Sequence, residues 1–109
     1  MTILLHPTRA THDIPPAGLR RGDRMYHMLS DLNGLEDAAR ELRAEALAVG
    51  IRLAWIQYPH TYREHFDTHS PFVERLLARG ARYATNHEIG ALLKARKAEL
   101  SGATGSTAP

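Results

Sequence analysis

The sequence predicts an α/β fold: a small single domain with a four-stranded, mostly parallel sheet and three helices, in the order ββαβαβα. Short apolar runs alternate with amphipathic segments along the chain, which is the pattern of strands connected by helices. Two of the amphipathic segments are followed by glycine, at Gly50 and Gly80, where a helix C-cap favours the left-handed conformation. Strands connected through helices run parallel with right-handed crossovers, so most of the sheet is predicted to be parallel.

The composition limits the size and the class of the protein. With 109 residues, 43% of them hydrophobic, the chain has room for one globular domain with a modest core. It has no cysteine, which excludes disulfides and thiolate metal sites. No apolar run approaches the ~20 residues that span a bilayer, so we expect a cytoplasmic protein that does not bind membranes. The net charge of +2 is too small to indicate nucleic-acid binding by itself.

Two strands separated by a long loop are predicted at the start of the chain. Thr2 to Leu5 is a short apolar run, and Met25 to Leu29 is a second one. The residues between them follow neither a helical nor a strand period and are rich in proline and glycine. We therefore predict a long loop over residues 7–24, a length that in compact domains often serves a function.

The first helix is predicted to begin after Asn33 and to end at Gly50. Asn33 and Glu36 have the spacing of a capping box, in which each side chain accepts a hydrogen bond from the other residue's backbone N–H. One face of the segment is apolar, as expected for a helix that packs on a sheet. The residues of this face are Leu35, Ala38, Ala39, Leu42, Ala46 and Val49.

A third strand, a second loop and a second helix are predicted in the middle of the chain. Ile51 to Ile56 is a nearly continuous apolar run that includes Trp55, as in a strand covered on both faces. Residues 57–69 are rich in histidine and aromatic residues and are predicted to form a loop. Ser70 is the expected N-cap of the helix that follows, with Pro71 at the first helical position.

The last strand and the last helix are predicted near the C-terminus. Ala81 to Ala84 forms the short strand, and Thr85 with Glu88 has the spacing of a capping box at the start of the helix. Residues 101–109 are small and polar and end in proline, which predicts a disordered tail. The α/β domain is therefore expected to occupy residues 1–100.

Polar side chains, including most of the histidines, follow the predicted strands. Ligands bind at the carboxyl ends of the strands in open α/β sheets, so we predict a site there. His65 and Asp67 are two residues apart, which in an extended segment turns both side chains the same way. Such a pair suits either a histidine general base oriented by a carboxylate or two metal ligands. Asp31 is a second candidate for the carboxylate. His65, Asp67 and Asp31 are therefore the candidate catalytic residues.

His27 and Gln57 are candidate ligand-binding residues. His27 and Asp31 would be roughly 13 Å apart along a strand, and about 6 Å apart in a helical turn. His27 could equally be a core histidine bonded to the backbone. Gln57 follows the third predicted strand and offers both a donor and an acceptor.

Three arginines in the first loop are candidates for contacts with phosphate or RNA. Arg20, Arg21 and Arg24 lie beside glycines, and guanidinium groups on a flexible backbone can clamp a phosphate. A solvated basic loop is the alternative explanation.

No metal site is predicted, and no cofactor can be named. A zinc site needs three or four converging ligands, and the HExxH pattern is absent. The Gly-x-Ser-x-Gly elbow of serine hydrolases is absent as well.

Five short motifs in a fixed order make the chain similar to the domain of unknown function 4031 family of small bacterial and phage proteins. They are Ile3-Leu4-Leu5-His6-Pro7, His27-Met28-Leu29-Ser30-Asp31, Trp55-Ile56-Gln57, His65-Phe66-Asp67 and Gly80-Ala81. The resemblance covers about residues 2–93 and implies a compact stand-alone domain. It points to the same polar residues but supplies no reaction.

Three functions are compatible with these residues. The first is binding of a small polar or phosphorylated ligand at the C-terminal strand ends. The second is a His/Asp-dependent enzyme, with or without a metal, in which His65 is the base. The third is a nucleic-acid or protein interaction module that uses the arginine-rich loop, for which salt-sensitive binding is expected.

Overall fold

A computed structural model describes residues 2–32 and 34–106, which form five strands and three α-helices. The strands are β1 (Ile3–Arg9), β2 (Arg24–Ser30), β3 (Ile56–Gln57), β4 (His65–Thr68) and β5 (Arg82–Tyr83). The helices are α1 (Leu35–Val49), α2 (Phe72–Ala78) and α3 (Asn86–Ser106). The strands join in one mixed sheet in the order β3-β4-β2-β1-β5.

Strand β2 is the centre of the sheet. It pairs antiparallel with β1 along its whole length, from Arg24 opposite Arg9 to Ser30 opposite Ile3. On its other side it pairs antiparallel with β4, and β4 pairs antiparallel with β3. Only β5 runs parallel to its neighbour, β1.

The prediction of a four-stranded, mostly parallel sheet is therefore wrong. The two strands that α1 connects, β2 and β3, do run in the same direction, because each is antiparallel to β4. The difference is β4, a strand that was not predicted, which returns between β3 and β2 and runs opposite to both. Its insertion turns a predicted parallel pair into two antiparallel pairs.

Two segments account for this error. Within the predicted strand Ile51 to Ile56, residues Leu53–Trp55 form a 3₁₀ turn and Trp55 is exposed, so the apolar run was not a covered strand. Within the predicted loop at residues 57–69 lies β4, whose burial alternates residue by residue. This alternation is the period of a half-covered strand, and the sequence shows it only at His65-Phe66-Asp67, because the buried Thr68 is also polar.

Three helix ends lie at, or within one residue of, the positions that local sequence signals predict. The residue after α1, Gly50, adopts a left-handed conformation with φ of 95°, as predicted. Thr85 and Glu88 form the predicted capping box, in which each backbone N–H donates to the other side chain. Helix α2 begins at Phe72 with Pro71 as its N-cap, one residue later than predicted. The predicted capping residue Asn33 lies outside the described residues.

The sheet carries a core on each face. Helices α1 and α2 cover one face, where Leu5, Met28 and Phe66 of the sheet pack with Leu42 of α1 and Leu76 of α2. Helix α3 covers part of the other face, where a smaller cluster contains Leu4, Leu29, Ala84 and Ile89. The rest of that second face is available for polar side chains.

Helix α3 is fixed to the sheet by a buried arginine. Arg96 is 4% exposed, and its guanidinium donates hydrogen bonds to the backbone carbonyls of Ser30 and Leu32, at the end of β2. The helix continues to Ser106, within the segment 101–109 for which a disordered tail is predicted. At the other end of the chain, residues 10–23 connect β1 to β2. None of the described helices has the length and apolar character needed to cross a membrane.

Truncating the core face of α1 is expected to destabilise the protein strongly. Leu42 is 2% exposed, so Leu42→Ala should lower the free energy of unfolding by about 2–5 kcal/mol through lost burial and the cavity left behind. Leu47→Ala is a matched control on the same helix, because Leu47 is 59% exposed and its truncation should change stability by less than about 0.5 kcal/mol. Urea denaturation measures both. Equal losses in the two variants would contradict the assigned core face.

Candidate functional site

Three polar side chains form a row across the centre of the sheet. His6 of β1 lies opposite His27 of β2, and His27 lies opposite Asp67 of β4. Residues paired across strands point to the same face, and this face is the one that α3 partly covers. His65, two residues before Asp67, shares the face. We call His27, His65 and Asp67 the His–Asp cluster.

The Asp67 carboxylate is the centre of the cluster. Its Oδ1 atom lies 2.9 Å from Nδ1 of His27 and 3.2 Å from Nε2 of His65. The side chain of His65 is 13% exposed, and the other two are about one-third exposed. The carboxylate thus bridges two imidazole rings at a half-buried position.

A backbone carbonyl fixes the tautomer of His65. The Nδ1 atom of His65 lies 2.7 Å from the carbonyl oxygen of Arg63. Because a carbonyl can only accept, Nδ1 must carry the proton of this hydrogen bond. In the neutral ring the Nε2 atom that faces Asp67 then has a lone pair, and only the imidazolium form could donate from it.

The cluster shifts two pKa values in opposite directions. Burial alone would raise the pKa of Asp67, but the hydrogen bonds from His27 and His65, with the charges of these rings, hold it well below its usual range. Burial alone would lower the pKa of His65. The hydrogen bonds to Asp67 and to the Arg63 carbonyl, with the negative charge of Asp67, outweigh that effect and raise it. The fold therefore shifts the ionisation of both groups toward their charged forms.

His6 supports the cluster from β1 without contacting Asp67. Its ring stacks on that of His27, with centroids 5.8 Å apart and planes 12° apart. Its Nε2 atom forms a hydrogen bond with Oδ1 of Asn86, at the start of α3. Its Nδ1 atom is buried and has no hydrogen-bond partner within the described part of the chain. His6 thus connects the cluster to the helix that covers it.

A groove of about 130 Å³ lies between α3 and the cluster. One wall is polar and the other is apolar. The residues that line it are His27, Leu29, Arg63, His65, Ile89 and Leu93. The Arg63 guanidinium lies 4.2 Å from the centre of the Tyr58 ring, and Tyr58 in turn stacks on His65. The groove places a cation, two imidazoles and an apolar wall around one small volume.

A larger cavity, of about 520 Å³, lies elsewhere, between α1, residues 60–64 and the end of α3. Its charged side chains bind one another: Arg43 pairs with Glu64 at 2.6 Å, and Arg40 pairs with Glu36 at 3.2 Å. A ligand there would have to displace these ion pairs. We therefore assign the candidate site to the smaller groove, where the polar groups converge.

Of the candidate residues from the sequence, His27, His65 and Asp67 come together and Asp31 does not. Strand β2 ends at Ser30, so His27 and Asp31 are separated along an extended segment, and Asp31 accepts a hydrogen bond from the backbone of Thr2 at 2.7 Å. Gln57 lies opposite His65 in the sheet, where its side chain is exposed and donates to the carbonyl of Trp55 at 3.5 Å.

The arginines of the first loop lie away from the cluster. Arg24 begins β2 and points to the opposite face of the sheet from His27, since the two are three positions apart in the strand. The backbone N–H groups of Arg20 and Arg21 donate to the carboxylates of Asp23 and Asp13. The loop is thus held by its own hydrogen bonds, at the hairpin end of β1 and β2.

The site lies on a face of the sheet, whereas its predicted place was the carboxyl ends of the strands. In a mostly antiparallel sheet those ends do not share one edge, and His65 begins β4 while His27 lies in the middle of β2. Sequence reasoning missed His6 and Arg63 as parts of the site. The sequence did contain a signal for His6, because this residue lies in the strand that precedes the strand of His27, and the two strands pair. Arg63 had no signal, because its role depends on the turn before β4.

The comparisons with known proteins gave one match. A family model for a protein of unknown function (DUF4031) matches residues 13–96. That range contains the whole His–Asp cluster and Arg63, whereas His6 lies before it. No curated protein and no solved structure matches the chain.

The His–Asp cluster should make the free energy of unfolding depend on pH, with losses at both low and high pH. Folding lowers the pKa of Asp67, so this residue stabilises the folded state fully above about pH 4, the pKa of an aspartate in the unfolded chain. The stabilisation is lost as the pH falls through the lower pKa of the folded state. The pKa of His65 is raised, so its contribution is full below about pH 6.5 and is lost as the pH rises through the folded value. The stability advantage of the wild type over Asp67→Asn should therefore be largest between these limits.

Urea denaturation of both proteins across pH, in the presence of EDTA, measures this difference. Glu36→Gln is the control, because it also removes a carboxylate but at a side chain that is 89% exposed. A difference between wild type and Asp67→Asn that stays constant with pH would contradict the assigned electrostatics.

Proposed function

Since this chain belongs to the DUF4031 family, a family of unknown function, we propose from its own side chains that it binds a small anionic ligand in the groove beside the His–Asp cluster. A phosphate or carboxylate group of the ligand would contact Arg63, and the imidazoles of His27 and His65 would contact its polar atoms. The sequence led us to expect a small polar or phosphorylated ligand. Here the ligand is specified as an anion and its site as this groove.

The observation that carries the proposal is the unpaired guanidinium of Arg63. It lines the groove with His27 and His65, and no carboxylate among the described residues lies within ion-pair distance of it. Its stacking on Tyr58 orients the guanidinium without neutralising it. A positioned arginine with free N–H groups is well suited to a bidentate contact with phosphate or carboxylate.

The volume of the groove limits the ligand. Pockets that enclose drug-sized ligands occupy about 300–1,000 Å³, and this groove has about 130 Å³. It can hold one anionic group and the atoms next to it, while a larger ligand would extend into solvent. The apolar wall of Leu29, Ile89 and Leu93 favours a ligand whose anionic group is attached to a short apolar part.

A second candidate function is proton transfer, which the contact between His27 and Asp67 favours. With Nδ1 of His27 bonded to Asp67, the opposite ring atom Nε2 is free to accept a proton from water or from a bound ligand. The carboxylate would fix the tautomer and stabilise the imidazolium that forms. In this arrangement His27 is the base, a role that the sequence suggested for His65.

Inorganic phosphate is expected to stabilise the wild-type protein and to lose this effect in Arg63→Gln. A ligand that binds only the folded state raises the melting temperature as its concentration increases. Thermal melts in EDTA, with sodium chloride at matched ionic strength as the reference, measure the shift. Arg20→Gln and Arg21→Gln are the matched controls, and they should retain the full shift because they lie in the hairpin loop. A phosphate effect that survives Arg63→Gln would contradict the proposed site.

Proton transfer predicts hydrolysis of activated esters that depends on His27. In EDTA, the wild type should release nitrophenolate from p-nitrophenyl phosphate or p-nitrophenyl acetate about 10²-fold faster than His27→Gln, the lower end of general-base catalysis. His87→Gln, at an exposed histidine of α3, should match the wild type. Equal rates for the wild type and His27→Gln would exclude this second function for these substrates.

A further inference from the structure

We propose that His27, His65 and Asp67 form a binding site for one divalent transition-metal ion of the zinc type. The site is formed by the same side chains that border the groove, but the proposal goes beyond anion binding and does not depend on it. It rests on the spacing of three donor atoms, on the proton count of the cluster and on the open side of the site.

The two donor-atom separations measured from Asp67 already match those that a bound metal imposes. Each of the three residues offers one ligand atom, and these atoms all lie within 4.8 Å of one another. Two ligands that are each about 2.1 Å from a metal are about 3.0–3.4 Å apart at the angles of octahedral and tetrahedral sites. The observed separations from Asp67 Oδ1 are 2.9 Å to His27 and 3.2 Å to His65. Binding one ion therefore requires an adjustment only between the His27 and His65 rings, whose donor atoms lie within 4.8 Å of each other.

The hydrogen bonds of His65 favour a positive charge between its Nε2 atom and the Asp67 carboxylate. Nδ1 of His65 donates to the carbonyl of Arg63, so the neutral ring turns the lone pair of Nε2 toward the carboxylate oxygen. Two lone pairs facing each other at this distance repel, and only a cation between them removes the repulsion. A second proton on His65 is one such cation, and a metal ion bound by both atoms is the other.

The surroundings of His65 are those of a metal ligand. Histidines that bind metals usually donate their other ring N–H to a carbonyl or carboxylate, which orients the ring and increases its basicity. The contact of His65 with the Arg63 carbonyl is of this kind. For His27 to ligate through Nδ1, its ring proton must move to Nε2, so the base role of His27 belongs to the metal-free protein.

The ligand types select the class of metal. Two imidazoles and one carboxylate suit zinc and the neighbouring first-row ions, whereas calcium and magnesium prefer oxygen ligands alone. The ligands come from the two paired strands β2 and β4, so the protein supplies three of them from one side. Three protein ligands leave at least one coordination position free, as in catalytic zinc sites. That position would be available to water or to an anion in the groove.

Metal titration of the untagged full-length protein tests the proposal. After chelation and desalting, isothermal titration with zinc should give one ion per chain, and cobalt(II) should give a visible absorption band. Asp67→Asn and His65→Gln, which conserve side-chain size, should each weaken zinc binding by about tenfold or more, because each removes one of three ligands. Circular dichroism in EDTA checks that the variants are folded. If one of them is not folded, His27→Gln, which removes the third ligand, takes its place in the zinc titration.

The matched controls are His12→Gln and His69→Gln, at histidines that lie outside the cluster. Both should bind zinc as the wild type does. The proposal is overturned if the wild type does not bind one ion per chain, if the cluster variants bind as tightly as the wild type, or if the controls lose as much affinity. The phosphate melts are done in EDTA, so a failure of the anion site and a failure of the metal site give different results.

Discussion

The pairing of β2 with β1 on one side and with β4 on the other is the constraint on which both the core and the site depend. One register places Met28 beside Leu5 and Phe66 on the face covered by α1 and α2. The same register places His27 opposite Asp67 on the other face. Because side chains alternate along a strand, a shift of one residue would bury the polar row and expose the core. The hydrophobic core therefore holds the cluster in place.

The polar row and helix α3 depend on each other. Arg96 attaches the helix to the end of β2, and Asn86 attaches its first turn to His6. Between these two contacts, Ile89 and Leu93 supply the helix's part of the apolar wall of the groove. The helix leaves the His–Asp cluster partly accessible, so the polar groups stay near solvent while the wall excludes water from one side. Such a boundary strengthens electrostatic contacts without full burial.

Features set by neighbouring residues, such as helix ends, could be predicted from the sequence. Features that depend on which strands pair in the sheet could not. The C-terminal end of α1 and the start of α3 were predicted because Gly50 and the Thr85–Glu88 box act within a few residues. For the site, His65 and Asp67 were predicted to point the same way from their spacing alone, which also holds in β4. The contact of His27 with Asp67 joins residues 40 positions apart, and it exists only because β4 inserts beside β2. No local pattern encodes that choice of neighbour.

The edges of the sheet also have a consequence for how the protein behaves at high concentration. Both outermost strands, β3 and β5, have only two residues, so each offers few free backbone groups to another chain. Strand β5 pairs with β1 only at Leu4 and Leu5, so the rest of this edge of β1 has no neighbouring strand. That part contains Pro7, which has no N–H to donate, and the exposed Arg9. Short edges, a proline and a charge discourage strand addition, so the histidine-bearing face can remain open without inviting intermolecular sheet growth.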